Sequence, residues 1–459
     1  MMALSEAASV LGGTLHGSDA RFSGVTQDGR RLVAGDLYVA LHGARFDGHD
    51  FVEQAAAAGA AGALVQRRLA LALPQIEVAD TRLALGRLAA AWRRRFDGVL
   101  IALTGSNGKT TVKEMCRHIL QQHAGADAVL ATEGNLNNDI GMPLSLLKLR
   151  GKHRYAVIEM GANHLGEIDY LTHIAQPDIA ILNNAGPAHL EGFGSLDNVA
   201  RAKAEIFSGL RKGGTAIINL DDAYAPMWLQ QCRAERVLRF SREQTQAELY
   251  LQRKDSHMQL HYDGDVQPLP LRVPGDHNQM NALAAAAACL AAGVPLAQIA
   301  AALSTFENIA GRLRRLQLPG GATLIDDSYN ANPASVKAAI DVLVTQGRHR
   351  ILVLGDMGEL GVDAERLHAE VGRYAAQAGI DALLACGEYT RASVEAFGAG
   401  GRFFEDGAAL VAALQAQLGA HSVVLFKGSR MMRMETLVAE LQQAMQKHAA
   451  RAQGGDGCC

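Results

Sequence analysis

Residues Thr104-Gly105-Ser106-Asn107-Gly108-Lys109-Thr110-Thr111 are a set whose types and order can do chemistry. Two glycines let backbone N–H groups curl around a phosphate. A helix opening at Lys109 adds partial positive charge, the lysine adds a full one, and Thr110 can hold Mg²⁺. The usual consensus for such loops places glycine five residues before Gly108. Leu103 stands there instead, but the context of strand, glycine loop and helix is correct. The bland alternative is a glycine-rich turn with an exposed lysine. A nucleoside triphosphate site suits kinases, switches, motors and ligases equally.

Other groups can complete such a site. Glu159 ends the apolar run Tyr155-Ala-Val-Ile158, and a carboxylate at a strand's carboxyl end suits Mg²⁺; otherwise it is an edge glutamate. His189 follows the next strand, as a ligand or as one of sixteen structural histidines. Lys203, in a helical segment, taken alone reads as a solvated lysine. Asn137 and Asn138 sit in a polar loop before a helix, where amides can read a substrate. Arg312 at a section junction forms either a structural ion pair or a group closing over a triphosphate.

The elements that must position these residues follow from patterning. Val99–Leu103 is a continuous apolar run, the mark of a strand covered on both faces. Runs at 155–158, 178–182 and 215–218 alternate with helical patterns, which predicts a parallel α/β sheet with its site at the strands' carboxyl ends. Before residue 97, strands are expected at 36–41 and 62–65 and helices at 51–59 and 82–96. From Gly311 a second alternation places strands at 323–326, 351–354, 382–385 and 423–426, with helices at 335–343, 364–378 and 432–446. It has no GxGxxG after its first strand, so no dinucleotide is assigned to it. The uncharged stretch 280–303 is alanine-rich and interrupted by Gly293 and Pro295. It reads as two buried helices and not as a membrane span.

Composition sets the outer bounds. The 459 residues allow two to four domains by the usual ~100–200 residues each. With 44 basic against 47 acidic residues the net charge is −3, which argues against nucleic-acid binding driven by charge. Six scattered cysteines form no CxxC pair, as in a reducing compartment. The start lacks a signal-peptide pattern, so a cytoplasmic protein is expected, with a tail disordered from about residue 450.

Taken in order, the motifs resemble the Mur ligases of bacterial cell-wall synthesis. The likeness rests on TQDGR at 26–30, FDGHDF at 46–51, TGSNGKT at 104–110, NLNNDIGMP at 135–143, EMGANHLGEI at 159–168 and HLEGFGS at 189–195. It continues with GDHNQMNA at 275–282, DDSYNANPAS at 326–335, LGDMGELG at 354–361 and KGSRMMRME at 427–435. SYNANP, and the absence of Asp-Asn-Pro-Arg, point to the dipeptide-adding branch. Gly-Lys-Thr-Thr in place of Gly-Lys-Gly-Ser separates the chain from folylpolyglutamate-type ligases.

The resemblance implies three α/β domains. These are an N-terminal domain (1–97) for the UDP end of the substrate, a central parallel-sheet P-loop ATPase (98–311), and a C-terminal Rossmann-like domain (312–459) for the incoming dipeptide. It implies ATP-dependent, ADP-forming addition of D-alanyl-D-alanine to UDP-N-acetylmuramoyl-tripeptide through an acyl phosphate, by a monomer acting on small molecules. By motif, residues 105–111 cradle ATP. Thr110 and Glu159 hold one Mg²⁺, and His189 and a carbamylated Lys203 hold a second. Asn281 lies near the adenine, Asp327 at the ribose and Arg312 at the γ-phosphate. Lys109, Lys203 and His189 are the expected catalytic groups. Asn330 and Asn332 are loosely indicated for the dipeptide, and Asp28 and Arg30 for UDP. Between that last pair Gly29 replaces the family's Ser or Thr, which removes a hydroxyl contact. The rivals are another Mur-type or folylpolyglutamate-type ligase, a P-loop switch or motor, and a silent binding protein.

Overall fold

Val99–Thr104 shows how the middle of the chain is built. Leu100 and Ala102 pack into one apolar core, and Ile101 and Leu103 into another. A continuous apolar run thus becomes a strand with both faces covered. The structure, a computed structural model, describes residues 1–43, 46–187, 190–255 and 257–454. It comprises three α/β domains, each with its own sheet.

The central sheet has nine strands. Its order is Asp265–Pro268, His257–Tyr262, Leu249–Lys254, Arg236–Ser241, Thr215–Asn219, Ile179–Leu182, Val99–Thr104, Tyr155–Glu159 and Val129–Ala131. All pairs are parallel except the two involving His257–Tyr262. Val99–Thr104 lies between Ile179–Leu182 and Tyr155–Glu159, with Leu103 opposite Glu159 and Thr104 opposite Leu182. The loops leaving these three strands therefore converge on one edge, outside the carboxyl ends where open α/β sheets bind ligands.

Helices Lys109–Ala124 and Asp276–Ala291 cover one face. The second is buried along nearly all its length, from Asn281 to Cys289 without interruption. That is why its sequence is alanine-rich and lacks an amphipathic stripe. It ends before Gly293, and Leu296–Ser304 follows. Among the described residues no helix is long and apolar enough to cross a membrane.

The N-terminal sheet has five strands, in the order Thr14–His16, Gln75–Glu77, Gly62–Val65, Asp36–Val39 and Gly24–Thr26. Helix Thr81–Arg93, capped by Asp80, carries Leu85 and Leu88 into a core shared by Leu64 and Ile76 of this sheet and Leu100 and Ile158 of the next. The C-terminal sheet has six strands, ordered Arg314–Gln317, Thr323–Asp327, Ser422–Lys427, His349–Gly355, Ala382–Cys386 and Gly401–Phe403, with one antiparallel edge pair. Ile351 and Val353 face one core, and Leu352 and Leu354 the other.

The expected strands are present, with ends shifted by one or two residues. The hairpin strands between 249 and 268 were not anticipated. Their mixed polar residues fit an edge with one wet face and give no clean apolar run. The last helix, Met434–Gly454, continues past residue 450, where the sequence suggested a tail. Good helix formers run up to the Gly454-Gly455 break. Residues 455–459 lie outside the described residues.

Candidate active site

A cleft of about 1070 Å³ opens where the central sheet's edge meets the C-terminal domain. The phosphate loop forms its floor. Gly108 turns with φ 79°, and a Cβ there would overlap Asn281 Oδ1. Only glycine fits both the left-handed backbone and that approach. The loop is held from the neighbouring strand. Asn107 N–H donates to Asn184 Oδ1 at 2.9 Å, Asn183 Nδ2 donates to Asn107 O at 3.0 Å, and Gly186 N–H donates to Ser106 Oγ at 2.9 Å. Asn183 also donates to Asn281 Oδ1 at 3.1 Å. Lys109 Nζ folds back onto Gly105 O at 2.8 Å and Ser106 O at 3.3 Å. Burial lowers its pKa, Glu159 opposes that, and Arg312 adds to it.

Glu159 is 2% exposed. Its Oε1 accepts from Asn137 Nδ2 at 2.8 Å, and its backbone N–H donates to Thr132 Oγ1 at 3.0 Å. Its Oε2 is buried without a hydrogen-bond partner among the described residues. An orphaned carboxylate oxygen of this kind needs a cation or a donor. Asn138 Oδ1 caps the next turn, accepting from Gly141 N–H at 2.9 Å.

Lys203 is 1% exposed. Its Nζ donates to Ala162 O at 3.4 Å, and its ammonium sits 5.2 Å from the Phe193 ring centroid. Burial, with the charge of Lys109, brings its pKa down to about 7, against the pull of Glu167 and Glu205. The expected solvated lysine is thus a buried one.

Among the described residues no group of three or more His, Cys, Asp or Glu could form a protein-only metal cage. Mg²⁺ does not require one, since it takes one or two carboxylates plus substrate phosphates and waters. The free Glu159 oxygen and the Thr110 hydroxyl line the same cleft and fit that donor set. His189 lies outside the described residues.

The C-terminal domain closes the cleft from above. Arg312 Nη2 donates to Thr110 Oγ1 at 3.2 Å, and its guanidinium lies 4.1 Å from the Tyr329 ring centroid. Asn332 caps helix Pro333–Val344 through Ser335, and its Nδ2 donates to Asn107 Oδ1 at 2.8 Å. Asn330 Oδ1 accepts from Ala331 N–H at 2.9 Å and Arg430 N–H at 3.3 Å. Asp327 lines the cleft with both oxygens engaged: one pairs with Lys427 Nζ, the other accepts from Leu313 N–H at 3.2 Å.

The structure therefore gathers residues 106–111, Asn137, Asn138, Glu159, Asn281, Arg312, Asp327, Asn330 and Asn332 around one cavity. Gly105 and Lys203 contact its floor and wall. Asp28 and Arg30 do not line it. They pair with each other on the N-terminal domain, Arg30 Nε to Asp28 Oδ1 at 2.9 Å. Asn183, Asn184, Tyr329 and Lys427 were missed as site-builders. The signals available were the doubled asparagine directly after an apolar strand, and the DDSYNANPAS and KGSRMMRME motifs that contain Tyr329 and Lys427.

Three family models match the chain: "Mur ligase family, catalytic domain" over residues 21–93, "Mur ligase middle domain" over 103–289, and "Mur ligase, glutamate ligase domain" over 311–430. The UDP-N-acetylmuramoyl-tripeptide–D-alanyl-D-alanine ligase of Escherichia coli K12 is 44% identical over 96% of this chain and 98% of its own length. A crystal structure of MurF from Acinetobacter baumannii superposes with a TM-score of 0.89 at 37% identity, covering 96% of this chain and 98% of that one. The MurF ligase of Thermotoga maritima in complex with ADP gives 0.81 at 26% identity, covering 93% and 98%. Full-length similarity at this level, with family models matching all three domains, means that the chain belongs to the Mur ligase family.

Proposed function

We infer that this protein is the ATP-dependent ligase that joins D-alanyl-D-alanine to UDP-N-acetylmuramoyl-tripeptide, forming UDP-N-acetylmuramoyl-pentapeptide for peptidoglycan synthesis. The observation that carries this reading is full-length similarity to ligases named for that reaction. The phosphate loop, the free Glu159 oxygen and the buried Lys203 supply the chemistry at its centre.

The reaction joins a carboxylate to an amine at the expense of ATP. A carboxylate oxygen of the tripeptide bonds to the γ-phosphorus and the bond to ADP breaks, leaving an acyl phosphate. The amine then bonds to the acyl carbon, loses a proton, and phosphate departs. Two anions must approach in the first step, so positive charge at the triphosphate decides the rate. Lys109 swings from its two loop carbonyls onto the phosphates, and the N–H groups of residues 105–111 orient them. Thr110 and Glu159 would hold Mg²⁺, which would supply charge screening at the triphosphate when bound. Arg312 lies over the γ-phosphate end and Asn281 beside the adenine. Asp327 reaches the ribose by sharing oxygens already bound to Lys427 and Leu313.

Lys203 is suited to carbamylation. A pKa of about 7 leaves much of the amine neutral at physiological pH, and the neutral amine is the form whose nitrogen bonds to the carbon of CO₂, releasing a proton to solvent. The carbamate is an anion that can join His189 at a second Mg²⁺, where an ammonium would be repelled. The division of labour follows the sheets: residues 1–97 hold the UDP end, with Asp28 and Arg30 as contacts, 98–311 hold ATP, and 312–459 hold the dipeptide near Asn330 and Asn332. Asn137 and Asn138 face the tripeptide's carboxylate end. Closure excludes water from the acyl phosphate. The protein works as a cytoplasmic monomer.

The test is phosphate release from MgATP with and without UDP-N-acetylmuramoyl-tripeptide and D-alanyl-D-alanine, with mass spectrometry of the product. Release that needs both, matched by UDP-pentapeptide, is expected. Release from ATP alone, indifferent to both, would overturn the ligase reading in favour of a switch or motor.

A further inference from the structure

Tyr329 is the ring on which two arginines of the C-terminal domain meet the cleft. The Arg312 guanidinium carbon lies 4.1 Å from its centroid, and that of Arg430 lies 5.7 Å away. Arg312 reaches Thr110 Oγ1 through Nη2, while its Nε is buried without a hydrogen-bond partner among the described residues. Hydrogen bonds alone leave the group's plane loosely defined, and the ring supplies the missing constraint.

The backbone is arranged to deliver this contact. Gly311 has φ 75°, its N–H donates to Asp326 Oδ2 at 2.9 Å, and its carbonyl accepts from Tyr329 N–H at 3.2 Å. A Cβ on Gly311 would lie 3.1 Å from Tyr329 Cβ. The junction at 311–312 therefore runs directly against residue 329. Arg312 is pinned at its base by these bonds and at its tip by the π-face.

We propose that Tyr329 is the positioning residue for Arg312, fixing the guanidinium at the open end of the phosphate loop before the triphosphate arrives. A planar guanidinium stacks on an aromatic face and keeps its N–H edge free for phosphate oxygens. The same ring also meets Arg430, whose guanidinium carbon lies 5.7 Å from its centroid. Tyr329 acts here as a ring, with no proton transferred by its hydroxyl; burial raises the phenol's pKa and keeps it protonated. The inference rests on Arg312 serving the γ-phosphate of the ligase reaction.

The experiment is steady-state kinetics of Tyr329→Phe and Tyr329→Leu, each made in the wild-type chain and in Arg312→Ala, with melting temperatures alongside. Tyr329→Phe should stay within about twofold of wild type. Tyr329→Leu should lower kcat roughly tenfold to thirtyfold, the range of a desolvated cation–π contact, with KM for UDP-N-acetylmuramoyl-tripeptide unchanged. In the Arg312→Ala background the same change should cost nothing further. If Tyr329→Leu melts early, Tyr329→Met provides a second ring-free variant of similar volume. The proposal is overturned by a Tyr329→Leu or Tyr329→Met enzyme with wild-type kcat, by equal losses with and without Arg312, or by Tyr329→Phe as damaging as Tyr329→Leu. Failure of the ligase reading looks different, since the unmutated enzyme would then release phosphate without needing both substrates.

Discussion

Asn332 Nδ2 donates to Asn107 Oδ1 at 2.8 Å, joining the C-terminal domain to the phosphate loop across 225 residues of chain. The same side chain caps helix Pro333–Val344, with Oδ1 accepting from Ser335 N–H at 2.9 Å. One amide thus uses its oxygen for local structure and its nitrogen for contact between domains. Substitution can separate the two. Asn332→Asp keeps the cap acceptor and loses the donor, so kcat should fall several-fold with the melting temperature near wild type. Asn332→Ala loses both and should also cost about 1 kcal/mol of stability. Kinetics and thermal melts of the pair check this; equal kcat in Asn332→Asp and wild type would show that the contact is incidental to turnover.

Such a contact could not be read in the sequence, where nothing links positions so far apart. What was legible is local. Alternate burial of Leu100, Ile101, Ala102 and Leu103 follows from an apolar run between glycine-rich turns, and the phosphate loop from its spacing. Glu159 was legible because it ends a strand, but its orphaned oxygen depends on Asn137 taking the other one. Lys203 looks like an ordinary helical lysine until Phe193 and Ala162 are folded over it. The motif places Asp327 at the ribose, but does not show that Lys427 from another strand pairs with one of its oxygens. Chemistry carried by one segment was visible, whereas chemistry set by partners from distant segments was not.

In the proposed reaction Lys109 supplies positive charge to the triphosphate. Among the described residues its hydrogen bonds go to the loop carbonyls Gly105 O and Ser106 O, so its loss should leave the fold intact. Lys109→Ala should cost on the order of 10³–10⁵ in rate, as removal of other cations at transferring phosphates does, with an unchanged circular dichroism spectrum. Near-normal turnover in this variant would remove the loop from the mechanism.

Glu159→Gln tests the free carboxylate oxygen. Glutamine can still accept from Asn137 Nδ2 through its carbonyl, but its other atom becomes a donor and can no longer bind a cation. Turnover should drop by at least 10² at millimolar Mg²⁺, about the loss of one preorganised electrostatic group, and the Mg²⁺ concentration for half-maximal rate should rise. Melting should be unchanged or slightly higher, since a buried charge without a full set of partners is gone. A variant with the wild-type Mg²⁺ dependence would place the ion elsewhere.

Lys203 gives the pH-dependent prediction. Its pKa falls from 10.5 to about 7 in the fold. Between those values the unfolded chain binds the extra proton, so the unmodified protein gains stability as pH rises from about 7 towards 10.5. Below pH 7 the lysine is protonated in both states and its destabilising effect is fully in place. Lys203→Met should remove this part of the slope in denaturation measured from pH 6 to 10. The neutral amine also dominates above pH 7, so enzyme stripped of CO₂ should regain activity with bicarbonate faster at pH 8 than at pH 6. Lys203→Ala should be nearly inactive and partly rescued by formate, whose carboxylate can take the carbamate's place. Full activity in Lys203→Ala without rescue would show that the buried amine serves the fold alone.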